Sequence, residues 1–411
     1  MRVLVSGASV AGPVLAYWLT RYGFTVTVVE RAPALRKTGG HAVDLFRPAV
    51  DIAAKMGVLD QVRARRTGTD SLTFHVPGRS RPVRMRTGKL IAAVSDRHVE
   101  IMRDDLSEIF YDAGRDDVEY VFDDSITAIG EDGVVEFERG PARRFDLVVG
   151  ADGLHSNVRR LVFGPEERFA TWIGAYLAVA SVPDYLGLEG RMEGVSAVGR
   201  IAGLYSAAHL PDARAVFLFR TREPLDYHYR DVPRQKELLR EHFAGLGWEV
   251  PRLLAELDTT PAFYFDSITQ LRMDTWSRGR VTLVGDAGYC PGPAVGGSTS
   301  LAVVGAYVLA GELAAAGGDP ARAFPAYEAE IGAYVRGSRD LALRMAGRLV
   351  PAGRFDLWAL VQAVRVLDRV PDAVIRAAGR LGGRSARLHD AVVLKDYSPY
   401  EKARGHGAAR A

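Results

Sequence analysis

Residues 2–30 constrain this chain more than any other stretch. Arg2–Ser6 and Thr25–Glu30 are short Val-rich runs, and Pro13–Tyr22 between them has helical spacing, so the three form one strand–helix–strand unit. Strands joined in this way lie parallel, and a parallel sheet is covered on both faces. The connection Gly7-Ala8-Ser9-Val10-Ala11-Gly12 falls where the first strand passes into the helix. Small residues there let the backbone approach a pyrophosphate, and free amides at a helix N-terminus stabilise its charge. Ser9 stands at the middle glycine of the usual fingerprint, which weakens the pattern taken alone. Glu30 restores it. It ends the second strand 18 residues after Gly12, where a carboxylate meets ribose hydroxyls and favours an unphosphorylated ribose, hence FAD or NAD over NADP. On these residues alone, a tight turn in some other α/β protein stays open.

Composition narrows the partners. With 411 residues, 48% of them hydrophobic, the chain suffices for two or more domains. A net charge of +3 gives no field that would gather nucleic acid or anionic lipid, so neither nucleic acid nor membrane is expected as a partner. The lone Cys290 excludes a disulfide framework and a thiolate metal site, and a cytoplasmic setting follows; no metal site is expected. Met1–Ala16 superficially resembles a signal peptide, but the strand–turn–helix pattern describes it better. The uncharged run Ala287–Gly311 exceeds the roughly 20 residues of a membrane span. Its first half is a Pro/Gly loop, and Ser298–Leu313, apolar on all faces, reads as a buried helix.

Along the chain, Asp105–Ala113 reads as helix, and Phe145–Gly150 and Arg280–Val284 read as buried strands that stop at Gly and Asp. Segments such as Tyr176–Ser181 and Ala215–Arg220 alternate and carry aromatics, as a half-exposed antiparallel sheet does. The expected architecture is α/β: a Rossmann-like domain with a parallel sheet, discontinuous over 1–72, 92–170 and 266–340. A substrate domain over 73–91 and 171–265 is inserted into it. A C-terminal helical region with a loose tail covers 341–411; Trp358–Leu367 and Ala373–Ala378 there have helical spacing, and packing helices are favoured over a membrane anchor.

Four further segments identify the chain as a member of a family. Phe145–Arg159, read Phe-Asp-Leu-Val-Val-Gly-Ala-Asp-Gly-Leu-His-Ser-Asn-Val-Arg, resembles the Asp-Gly motif of the single-component aromatic flavoprotein hydroxylases. Gly279–Ala287, followed by a Pro/Gly loop and an apolar helix, resembles their Gly-Asp motif, and Arg103 with Leu106 resembles their Arg-x-x-Leu element. Gly39-Gly40-His41-Ala42-Val43-Asp44-Leu45 resembles the flavin-edge segment of the tetracycline-inactivating monooxygenases within that family. The resemblance implies a p-hydroxybenzoate hydroxylase-like fold and non-covalent FAD. It assigns FAD contacts to Gly7, Ser9, Val10, Ala11, Gly12, Glu30, Arg31, Ala42, Asp44, Arg103, Asp152, Asp286, Gly296, Gly297, Ser298 and Thr299. Asp152, Gly153 and Arg159 are implied in the transient approach of NADPH. Two departures stand out: Tyr289 replaces a frequent histidine, and Ser300 a frequent asparagine.

The family mechanism then implies that NADPH, or NADH, reduces FAD, that O₂ forms a C4a-hydroperoxide, and that a small aromatic or polycyclic substrate is hydroxylated or epoxidised. The flavin carries the chemistry, so no catalytic side chain is expected. Tyr176, Tyr205, Phe217 and Phe219 are candidates for the pocket lining, against the alternative of ordinary core. A monomer or homodimer is expected. The competing readings are an FAD reductase or dehydrogenase without oxygen insertion, and a flavin-binding partner without turnover.

Overall fold

The computed structural model describes residues 1–35, 40–88, 95, 97–292, 297–371, 374, 388–389 and 391–402, with the backbone alone for 347–349. At its centre lies Arg2–Ser6, whose Val3, Leu4 and Val5 are wholly buried. It pairs in parallel with Thr25–Glu30 on one side and with Leu147–Gly150 on the other, Ser6 beside Gly150. Val281–Leu283 extends one flank and Glu119–Phe122 the other, also in parallel, and Ser277–Arg278 closes one edge as an antiparallel strand. The order of addition reverses between Arg2–Ser6 and Leu147–Gly150. Such a switch point opens a crevice beyond the carboxyl ends of the strands. The Gly7–Gly12 loop, Glu30, Asp152 and Asp286 all follow or end strands there.

The first helix is Ala11–Arg21, so the end of the glycine loop is already helical. Behind it runs Ser298–Ala315, buried from Ser300 to Leu313. It is the one helix among the described residues long and apolar enough to cross a membrane, and it is a core helix. Helix Pro320–Leu349 packs on it and runs unbroken through position 340. The boundary expected at 341 falls inside this helix. The same helix that lines the first core with Tyr327 and Ile331 reaches the second sheet with Ala342 and Ala346, against Ala175 and Ile268. Helix Arg354–Arg369 follows; of Ala373–Ala378 only Val374 is described, and Gly405–Ala411 lies outside the described residues.

The second sheet has seven strands in the order Phe263–Leu271, Ala170–Pro183, Asp212–Arg220, Arg200–Ser206, Arg191–Ala197, Ser71–His75 and Val83–Arg86. Neighbours are antiparallel except Arg191–Ala197 with Ser71–His75. Period-two alternation gives it two different faces. The outer face carries Tyr176, Ala178, Ala215, Phe217, Phe219 and Phe265, packed under helices Val232–Phe243 and Val250–Ala255 through Leu238, Phe243 and Leu253. The inner face carries Tyr205, Arg214, Val216, Leu218, Tyr264 and Asp266, and it looks toward the first domain. A two-stranded ribbon, Ala42–Phe46 with His98–Met102, lies between.

Candidate functional site

Two glycines shape the first loop. Gly7 has φ +107°, and a Cβ on it would lie 2.5 Å from the carbonyl oxygen of Ala151. A Cβ on Gly12 would lie 1.9 Å from the carbonyl oxygen of Gly7. Loop, helix and the neighbouring strand end therefore pack backbone to backbone. Helix Ala11–Arg21 opens at Val10 with no side-chain cap, which leaves its first amides to a ligand. Glu30 accepts from the amides of Ala8 (2.8 Å) and Ala32 (2.9 Å), so it braces this loop as well as ending its strand; Arg31 beyond it is exposed.

Arg103 enters from the start of helix Arg103–Gly114 and donates to Ser9 Oγ at 3.1 Å. Its charge also acts on His41, Asp286 and Tyr264, so one guanidinium sits among the three motifs. Burial pushes the Asp286 carboxyl up, and Arg103 pulls it back. Burial, aided by Arg103, lowers His41 to about 4, so its imidazole is neutral at pH 7.

The flavin-edge segment is held from both domains. Asp104 Oδ2 accepts from the Gly40 amide at 2.6 Å, and Arg214 Nε donates to the Gly40 carbonyl at 3.1 Å. The Ala42 amide donates to Tyr205 Oη at 2.7 Å, and Asp44 pairs with His98 at 2.6 Å. Ser300 explains its departure from asparagine. Its hydroxyl donates to the Asp44 carbonyl and accepts from the Phe46 amide, both at 2.9 Å, which ties this segment to the apolar helix. That helix opens at Gly297, left-handed with φ +91° and without a side-chain cap, and Ser298 and Thr299 follow half-buried. Gly296 lies outside the described residues. Tyr289, in place of histidine, turns into the core: its hydroxyl accepts from Tyr327 at 2.9 Å and fills the space above Gly305.

The Asp-Gly motif departs from expectation. The Asp152 carboxylate accepts from Ser156 Oγ, from the amides of Asn157 (2.9 Å) and Val158 (3.1 Å), and more distantly from Ser6 Oγ. It caps helix Asn157–Val162, so its oxygens are engaged by the chain itself. Arg159 is 1% exposed and donates to the carbonyls of Ala287 (2.9 Å) and Leu154 (2.6 Å) and to Glu166 (2.6 Å). Buried there, it links the Asp-Gly motif to the Gly-Asp loop. Gly153 has φ +80° and open space beside it, and both it and Asp152 are half-buried.

Of the pocket candidates, Tyr205 faces the site. Tyr176, Phe217 and Phe219 do not: they stand on the outer face, in the core beneath the helices. Both faces of this sheet are apolar because both are covered, so alternation does not say which one looks inward. The inward residues missed from the sequence are Arg214, Tyr264 and Asp266; an arginine inside an alternating strand was the available signal.

His155, also unassigned from the sequence, joins the domains. Its Nδ1 meets Glu166 at 3.0 Å and its Nε2 meets Asp266 at 3.0 Å, with Tyr229 stacked 4.1 Å away. Burial lowers its pKa, but the hydrogen bonds to Asp266 and Glu166 outweigh burial and hold it at about 10. A raised histidine pKa stabilises fully below the unfolded value near 6.5 and is lost as pH climbs through the folded value. The stability difference between the protein and His155→Gln, on the order of 3 kcal/mol at pH 6, should therefore shrink between pH 7 and about 10. Urea titrations across that range check it; a constant difference would remove the charged bridge.

Cys290 is fully buried, and burial followed by the nearby Asp286 pushes its thiol well above the usual range. It is a thiol at neutral pH and no nucleophile. In the folded protein it should resist a chromogenic disulfide reagent and react only on unfolding; rapid labelling of the native chain would contradict this.

Residues 1–331 match the family described as FAD binding domain. An uncharacterised protein of Mycobacterium tuberculosis is 43% identical over 370 residues, covering 89% of this chain and 99% of that protein. A flavin-dependent monooxygenase of Legionella longbeachae is 39% identical over 338 residues, covering 82% of this chain and 86% of its own length. Among solved structures, the tetracycline destructase Tet(51) superposes with a TM-score of 0.82 at 32% identity, over 96% of this chain and 99% of its own. HpxO of Klebsiella pneumoniae, solved with FAD and uric acid, shares the fold with a TM-score of 0.70 at 23% identity, over 92% of this chain and 96% of its own.

Proposed function

Because this chain belongs to the FAD-binding-domain family of flavin-dependent monooxygenases, we propose that NADPH, or NADH in its place, is its reductant, O₂ its co-substrate, and a small aromatic or polycyclic molecule the acceptor of one oxygen atom. The residues present fit FAD. A cradle that a Cβ would fill at Gly7 and Gly12, uncapped helix starts at Ala11 and Ser298, and a carboxylate at Asp286 are what a pyrophosphate, a ribityl chain and a flavin edge require. Gly7, Ser9, Gly12, Glu30 and Arg103 would hold its nucleotide half, and Asp286, Gly297, Ser298 and Thr299 its flavin half. Bound there, FAD supplies hydride acceptance and oxygen activation.

The chain's own contribution is orientation and dryness. Tyr205 and Arg214 hold Gly40 and Ala42 in place from the inner face, so the substrate sheet and the flavin-edge segment are one rigid unit. The helix start at Gly297 would put positive potential on the side of the flavin where reduction places negative charge. The single observation that carries the substrate class is the inner face itself. Val216 and Leu218 make part of it apolar, with Tyr205, Arg214, Tyr264 and Asp266 its polar groups, which suits a flat hydrophobic molecule with a few oxygens. Relatives named for tetracycline destruction favour the polycyclic end of that class. The reading further takes the enzyme as a cytoplasmic monomer or homodimer.

The test is a panel of phenols, indoles and polycyclic polyketides scored for stimulated NADPH oxidation, with products weighed under ¹⁸O₂. A product heavier by one labelled oxygen is expected. Stimulated oxidation with no label in any product would make the chain a reductase instead.

A further inference from the structure

Helix Arg354–Arg369 has two apolar faces, and the fold uses only one. Leu357, Val361 and Val364 pack it on Val76 and Val83 at the edge of the seven-stranded sheet. The opposite face presents Phe355 (74% exposed), Trp358 (52%) and Val366 (60%), with the Phe355 and Trp358 rings stacked 5.8 Å apart. At 100° per residue these three side chains fall within one sector of the helix, with Ala359 and Ala363 beside them. Arg354 and Arg365 line one flank of that sector and Asp356 the other, while Gln362 and Arg369 fall within it. An exposed aromatic pair with an aliphatic side chain on the same helix face marks a contact surface.

Charge decides which contact. Residues 336–371 contain seven arginines against three aspartates, with no lysine and no glutamate, while the whole chain carries only +3. The positive charge is thus concentrated in the part of the chain that carries the apolar strip, and two copies brought together through it would repel. An anionic surface would be attracted, and the long arginine stems can lie along the apolar strip with their heads among phosphates. We propose that the outer face of helix Arg354–Arg369 seats the enzyme on an anionic lipid bilayer, with Phe355, Trp358 and Val366 entering the headgroup boundary and Arg354, Arg365 and Arg369 meeting lipid phosphates. This revises the expectation, drawn from the small overall charge, that no membrane is engaged; the average hid a local excess.

Flotation of the full-length, FAD-loaded protein with vesicles tests the proposal. Recovery with phosphatidylcholine–phosphatidylglycerol vesicles should exceed that with phosphatidylcholine alone and should fall with added salt. F355S/W358S should lower partition by about tenfold or more, and R354Q/R365Q/R369Q should abolish the preference for the anionic lipid, both with unchanged FAD content. Equal recovery of the protein and F355S/W358S overturns the proposal. So does a dimer in equilibrium sedimentation that F355S/W358S converts to monomer, because a second copy would then cover the strip.

Discussion

Gly12→Ala should purify with little or no FAD. The new Cβ would stand 1.9 Å from the Gly7 carbonyl oxygen, and that oxygen has nowhere to go. The Gly7 amide is bonded to the Val29 carbonyl at 2.8 Å, and a side of Gly7 lies against the Ala151 carbonyl. Relief requires the first helix to move off the sheet, which takes its uncapped amides away from the pyrophosphate they would meet. Forcing a group into so tight a contact costs roughly 1–3 kcal/mol or more, and lost ligand geometry adds to it, so FAD affinity should fall by about a hundredfold. The ratio of flavin to protein absorbance on the purified chain, with circular dichroism for the fold, reads this. Ser9→Gly is the control: it removes the hydroxyl that Arg103 meets but opens no clash, and it should remain yellow. A fully loaded Gly12→Ala would mean that the helix is not packed as described.

Arg159→Met should destabilise the chain by roughly 3–5 kcal/mol, the range for removing one partner of a buried ionic network. Its guanidinium is the link between the carbonyls of Leu154 and Ala287 and the carboxylate of Glu166. Methionine fills part of the volume but leaves both carbonyls without a donor. Thermal or urea unfolding should show the loss, while the Michaelis constant for NADPH in the surviving folded fraction should change little. The opposite pattern, normal stability with a raised constant for NADPH, would restore Arg159 as a direct contact of the reductant and refute its burial.

Arg159 and Asp152 show where a motif ceases to be informative. Their residue types fit a nucleotide contact and a structural link equally well, and the sequence spacing is the same for both. For Arg159 the distant partner is the Ala287 carbonyl, 128 residues away, which arrives only when the strands pair, whereas Glu166 and the groups that engage Asp152 most closely are near neighbours in the chain. Ser300 is similar: replacing an asparagine reads as a loss, yet its hydroxyl serves Asp44 and Phe46 across 256 and 254 residues.

Local physics lets residues 2–30 be read without a fold. A strand, a tight glycine turn and a helix depend on neighbours a few positions apart, so Gly7, Gly12 and Glu30 carry their meaning in the order of the letters. The burial of Ser298–Ala315 was legible for the same reason, since a helix apolar all round has no side to offer water. The direction of the seven-stranded sheet was not. Alternation separates Tyr176 and Phe219 from Tyr205 and Arg214 only as one face of a sheet from the other, and with cover above and below, nothing local says which face looks inward. Packing against Leu238 and Phe243 on one side and against Gly40 and Ala42 on the other decided it, through contacts that exist only once the chain has closed.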